Sequence, residues 1–188
     1  MIAALLLAGA ILAAILFASS AQRGSSGGVE AGRPRLGGTL RVAVDEDFDS
    51  LDPQRTGSPA SWFVARALHR GLLGFPNRGY PAGARPVLDL AESYTISASG
   101  RRYTFRLRHD ARFGAPTSRE VSGPDVRAGI LRLLDVDSSV GRALRAVVVR
   151  ISAAPHSVVI DLARPANDLP WLLALPQASP DRGHSTRL

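Results

Sequence analysis

Leu40, Val42 and Val44 alternate with Thr39, Arg41 and Ala43, and a period of two with one apolar side predicts a half-buried strand over residues 39–44. The alternation recurs in Tyr103-Thr104-Phe105-Arg106-Leu107-Arg108, which puts Tyr103, Phe105 and Leu107 on one face. Thr104, Arg106 and Arg108 then form a face expected to be solvated. Ser99-Gly100 lies between two strand-like runs and predicts a hairpin turn. The β-branched runs 146–151 and 157–162, separated by a turn containing Pro155, predict a second hairpin.

Helical signals fall between these runs. Ser58 offers a capping hydroxyl and Pro59 suits the first helical position, where a missing N–H costs nothing. That helix is expected to run through Trp62, Phe63, Ala67 and Leu68 and to stop near Gly71. Ser122-Gly123-Pro124-Asp125 opens a second helix as a capping box, with Asp125 also favoured by the helix dipole. Val126, Ile130, Leu133 and Leu134 follow at helical spacing. Strand, loop and helix N-terminus thus succeed one another in the order of α/β ligand-binding sheets.

The two ends carry different patterns. Residues 2–18 form an apolar run of 17 residues followed by Ser19-Ser20-Ala21, which reads as a secretory signal cut after Ser20 or Ala21, or as a short N-terminal anchor. No basic residue precedes the run, and Arg23, Arg33 and Arg35 follow it, an asymmetry opposed to ordinary export orientation. Residues 22–38, rich in Gly, Ser, Arg and Pro, have little to bury and read as a flexible linker. Residues 177–188 are expected to be a truncated tail, without periodicity after Pro180.

Composition narrows the function classes. With 188 residues and 45% hydrophobic content the chain can build an ordinary core. The net charge of +7 comes from 23 basic residues that are all Arg and are scattered, not gathered on a face with interleaved aromatics, so nucleic acid is not an expected partner. Cysteine is absent, which excludes disulfides, thiolate metal sites, a Cys nucleophile and a lipid-acceptor Cys.

Candidate chemistry is sparse. Asp45, Asp47, Asp49 and Asp52 suggest a calcium loop, but Ser50 and Thr56 stand where an EF-hand needs Gly and Glu, so a solvated loop is expected. His69, His109, His156 and His184 are isolated, and no metal site is expected. No nucleophile elbow, Walker loop or dinucleotide fingerprint occurs; neither an enzyme nor a cofactor is expected. Thr56-Gly57-Ser58 remains: Gly57 permits close backbone approach and the helix start favours acceptors, although a plain capping loop explains it equally well.

Gly37-Gly38-Thr39-Leu40-Arg41-Val42-Ala43-Val44 running into Ser50-Leu51-Asp52-Pro53, and Asp89-Leu90-Ala91-Glu92-Ser93 followed by Tyr103-Thr104-Phe105-Arg106-Leu107-Arg108, resemble the N-terminal third of family 5 extracytoplasmic solute-binding proteins, the oligopeptide-, dipeptide- and nickel-binding receptors of ABC importers. Leu162-Ala163-Arg164-Pro165 and Trp171-Leu172-Leu173-Ala174-Leu175-Pro176 resemble the family's return from its accessory domain. Gly114-Ala115-Pro116-Thr117, where many members have His-Asp-Gly, marks a variant branch.

The resemblance implies an α/β fold: part of a class II periplasmic-binding-protein lobe (39–74) with an α+β accessory domain (75–176), truncated before the second lobe. It further implies capture of peptides or related solutes outside the membrane, ABC permease subunits as partners, a monomer, and Thr56, Gly57 and Ser58 as ligand-binding residues. The rival expectation is a small membrane-anchored interaction domain that binds no solute.

The apolar run is expected to carry the chain out of the cytoplasm. N-terminal sequencing of the mature product should start near Gln22, and a cytoplasmic product retaining Met1 would overturn that expectation.

Overall fold

A strand with one apolar and one polar face is stable only when that face is covered, and residues 102–107 obtain both neighbours and cover. The computed structural model describes residues 37–181. The expected signal or anchor at 1–21, the linker apart from Gly37 and Gly38, and residues 182–188 lie outside the described residues. Two units divide the chain, at Val42.

Of the first unit, residues 37–42 carry neither helix nor strand. The strand expected over 39–44 is accordingly not formed: Leu40 is 85% exposed, and Val42 and Val44 are exposed too. Alternation alone does not make a strand; its amides need a paired edge.

The second unit begins with α1 (Pro59–Leu68), capped by Ser58, whose hydroxyl accepts the Ser61 amide at 3.1 Å. It ends at Leu68, short of Gly71, because His69 turns to extended backbone and the Gly71 and Leu72 carbonyls accept the amides of Leu90 and of Asp89 and Ala91. The helix buries its small residues Ala60, Ser61 and Ala65, while Phe63 and Leu68 are exposed. Two short strands follow, β1 (Leu73–Gly74) and β2 (Val87–Leu88), paired with each other.

A four-stranded antiparallel sheet comes next in the order β3-β4-β6-β5. Its members are β3 (Ala91–Ile96), β4 (Arg102–Leu107), β5 (Val148–Ala154) and β6 (Ser157–Leu162). The turn expected at Ser99-Gly100 joins β3 to β4, with Gly100 at φ 66°. Strand β4 also pairs with β6, matching Tyr103 to Ile160 and Phe105 to Val158. These four side chains are almost wholly buried, and the Tyr103 hydroxyl donates to the Ala166 carbonyl at 3.1 Å.

Helix α2 (Gly123–Asp135) covers this face with Val126, Ile130 and Leu133, each fully buried. Helices α3 (Ser139–Arg145) and α4 (Leu169–Leu173) close the core with Leu144, Leu169 and Leu173. Burial of each large apolar side chain contributes about 1.5–3 kcal/mol. The polar face carries ion pairs instead, Arg106 with Glu92 at 3.1 Å and Arg102 with Asp161 at 2.6 Å. Such exposed pairs contribute about 0–1 kcal/mol each, so the apolar face dominates.

Two glycines set how closely α2 can lie. A Cβ on Gly123 would stand 2.1 Å from the Ala154 carbonyl oxygen, and one on Gly129 2.1 Å from that of Ser179. At the second contact Gln177, Ala178 and Ser179 are buried, and the Asp181 amide donates to the Asp125 carbonyl at 3.1 Å.

The capping box at the start of α2 is present. The Asp125 carboxylate accepts the Ser122 amide at 2.8 Å, its hydroxyl at 2.6 Å, and two guanidinium bonds from Arg119 at 2.7 Å each. Desolvation by itself would raise its pKa, but the Arg119 and Ser122 bonds outweigh it and hold the carboxyl below its ordinary 3.8. A depressed folded pKa stabilises the fold fully above the ordinary value, and the contribution is lost as pH falls through the lower folded value. Asp125→Ala is therefore expected to cost about 1–3 kcal/mol at neutral pH, from cap and charged hydrogen-bond energies. That cost should shrink as denaturation is measured at progressively more acidic pH; a cost independent of pH would refute the assignment.

Candidate functional site

The loop before α1 is built by carboxylates that the sequence reading assigned to solvent. Asp45 and Asp47 are exposed, as a solvated loop requires, but Asp49 and Asp52 are each committed to protein partners. One Asp49 oxygen accepts the Ser61 hydroxyl, and the other accepts the amides of Gly57 at 2.9 Å and Ser58 at 3.1 Å. The Ser61 bond is the main reason that the Asp49 pKa lies below its ordinary value, with the two amides adding to it. An internal carboxylate thus sits at the N-terminus of α1, where unpaired amides and the helix dipole favour negative charge.

Asp52 faces the other way. It receives a two-pronged bond from Arg132 of α2, one prong at 3.0 Å, and also accepts the Gln54 amide at 3.1 Å. Hydrogen bonding to Asp52 raises the Arg132 pKa. Gln54, almost fully buried, donates its side-chain amide to the Gly129 carbonyl at 2.7 Å. These bonds fix the loop against the middle of α2.

Between this loop, the end of α1 and α2 lies a cleft of about 590 Å³ whose walls include Leu51, Gln54, Arg70, Leu90, Phe113 and Arg132. That size suits a small organic ligand. Its cations are largely neutralised in place: Arg132 by Asp52, and Arg70 by Asp89 with Nε to carboxylate at 2.7 Å. Apolar contact and a few fixed polar groups therefore characterise it, which is the make-up of a binding surface.

Of the three sequence-predicted ligand residues, Thr56 is buried and donates its hydroxyl to the Pro53 carbonyl at 2.9 Å. Gly57 and Ser58 spend their amides on Asp49, and Ser58 caps α1. They form the back of the loop, whereas Leu51, Asp52, Pro53 and Gln54 face the cleft. Gln54 escaped sequence reasoning because no local pattern signals its partner, 75 residues away. The histidines read as isolated are not all so: the His109 and His156 rings lie 4.2 Å apart, centroid to centroid. The β4–β6 register brings them together, since Arg106 pairs with Ser157.

An antiparallel sheet backed by one long helix, with a cleft against its flank, matches part of a lobe in solved substrate-binding proteins. No protein-family model matches the chain. Among curated proteins it is 34% identical over 102 residues to Di/tripeptide-binding protein 2 of Pseudomonas aeruginosa (strain UCBPP-PA14), covering 52% of this chain and 18% of that protein. It is 29% identical over 137 residues to the glutathione-binding protein GsiB of Escherichia coli (strain K12), covering 72% and 25%. The clavulanic acid biosynthesis oligopeptide binding protein 2 superposes with a TM-score of 0.61 at 34% identity, over 76% of this chain and 29% of that one. The PBP AgaA of A. tumefaciens R10, solved with agropinic acid, gives 0.60 at 26% identity, over 71% and 26%.

The homologues and structural neighbours are thus family 5 solute-binding proteins of ABC importers, matched at modest identity over part of the chain. They are binding proteins and not enzymes. The chain spans about a fifth to a quarter of the length of the curated relatives it matches. No helix among the described residues is long and apolar enough to cross a membrane.

Removing the Asp49 carboxylate should free the amides that it holds. Asp49→Ala is expected to speed hydrogen exchange at Gly57 and Ser58 while leaving Phe105 and Leu107 protected. Unchanged exchange at Gly57 would show that the clasp does not hold the loop.

Proposed function

We propose that the chain serves in the solute-binding component of an ABC importer, capturing peptides or related small solutes outside the membrane for delivery to permease subunits. The observation that carries this reading is the joint agreement of sequence and fold with an oligopeptide binding protein over three quarters of the chain. Residues 39–74 begin the first lobe and 75–176 form the accessory domain. The component works as a monomer without covalent chemistry, and residues 1–21 direct it out of the cytoplasm. Leu51 to Gln54 present the loop to the cleft, and Thr56-Gly57-Ser58 support it from behind, contributing backbone groups to a ligand only where Asp49 yields them.

Affinity in such sites comes from burying most of the ligand surface. The chain spans only part of the length of its relatives, so residues 22–188 alone are expected to give no binding heat with dipeptides, tripeptides or glutathione at micromolar concentration. Micromolar affinity would contradict this division of labour. Deleting the gene in its native host is expected to abolish uptake of a labelled peptide that complementation restores. Unchanged uptake of every di- and tripeptide tried would sink the transport reading in favour of an interaction domain.

A further inference from the structure

Three turns that are distant in sequence meet at one corner of the sheet, where His109, Glu120 and His156 stand outside the cleft lining although Arg112 and Phe113 of the same ribbon belong to it. The first follows β4 and carries His109; the second is a short ribbon, bridged from Arg112 to Glu120, that carries Glu120; the third is the β5–β6 turn with His156. One ligand-type atom from each of the three side chains lies within 4.8 Å of the other two. Glu120 stands at the apex: its Oε1 is 3.5 Å from Nδ1 of His156 and 3.8 Å from Nδ1 of His109.

These separations are too long for hydrogen bonds, which close at roughly 2.7–3.2 Å. They are close to what a shared cation requires. With metal–ligand distances of about 2.0–2.1 Å in a tetrahedral arrangement, donor atoms stand roughly 3.3–3.4 Å apart. The two Glu120 gaps exceed that spacing by only a few tenths of an ångström, and both imidazoles are exposed enough to rotate toward a common centre. The same Oε1 is shielded from solvent and accepts no hydrogen bond among the described residues. A shielded carboxylate oxygen without a donor is costly, and a cation between it and two imidazoles would remove that cost.

The backbone beneath is already fixed. The His156 carbonyl accepts the Leu107 amide at 2.9 Å, and the neighbouring Pro155 carbonyl accepts the Gly123 amide at 2.8 Å. The Arg108 amide donates to Leu90, and the Val121 amide to Ala111 at 2.9 Å. Both imidazoles are more than two-fifths exposed, so an ion can enter without opening the fold. Three arginines nearby are engaged elsewhere: Arg108 with Asp110, Arg119 with Asp125, and Arg112 with the Ser118 carbonyl.

We propose that His109, Glu120 and His156 form a surface site for a divalent first-row transition cation. Two imidazoles and one carboxylate suit zinc, and also nickel or cobalt, better than magnesium or calcium. Three protein ligands leave a fourth position for water or an exogenous donor. By tying β4, the ribbon and the β5–β6 turn together, the ion would also stabilise the sheet in proportion to its occupancy.

Calorimetry of the full chain, produced without a histidine tag, with zinc chloride tests this. One equivalent is expected to bind at micromolar affinity, with thermal unfolding shifted upward and no response to magnesium. His156→Ala and Glu120→Gln should each weaken binding at least tenfold while leaving the circular dichroism spectrum unchanged. Cobalt should broaden the ring resonances of His109 and His156 and spare those of His69. Absence of zinc binding would overturn the proposal, as would binding that survives the His109→Ala, His156→Ala double substitution. Should a variant misfold, the cobalt experiment on the unsubstituted chain decides alone: broadening centred on any other histidine refutes the site.

Discussion

The fold depends on one packing contact, the apolar stripe of α2 laid across the buried face of the sheet over β5 and β6. Val126, Ile130 and Leu133 share one buried core with Phe105, Val158 and Ile160. Each side of the contact is unstable alone. A strand pair with an exposed apolar face invites misassociation, and a thirteen-residue helix is marginal in water without tertiary cover. Their mutual burial offsets both costs, and the surface ion pairs add little.

Close backbone approach then carries this rigidity outward. Gly123 lets α2 start against the β5–β6 turn, and Gly129 lets the 176–181 segment lie on its flank. Where a side chain is missing, polar backbone comes near, and Gln54 exploits the Gly129 carbonyl as an anchor for the loop. The cleft wall therefore inherits its position from the helix. Arg132 with Asp52 makes the same connection just under one turn further on, but with charge.

The carboxylates divide by geometry and not by number. Asp125 and Asp49 each sit at a helix N-terminus, where amides and a hydroxyl converge, and both are held below their ordinary pKa. Glu120 differs: its Oε1 faces two imidazoles across gaps too wide for hydrogen bonding. A fully bonded carboxylate is a structural joint, whereas a shielded one without donors is a place where something else can bind.

Local pattern was enough for the hairpins at Ser99-Gly100 and Pro155, the two capped helices, and the buried face of Tyr103, Phe105 and Leu107, because each is decided by neighbours within a few residues. The order of phrases along the chain likewise pointed to solute-binding relatives. Residues 39–44 show the limit, since alternation states which face would be buried but cannot provide a partner strand. The burial of Gln177 to Ser179, the commitment of Asp49 and Asp52, and the meeting of His109, Glu120 and His156 were settled only by tertiary structure. Those contacts join residues through the β4–β6 register and the seating of α2, which are long-range choices made by the core as a whole, and no spacing along the chain records them.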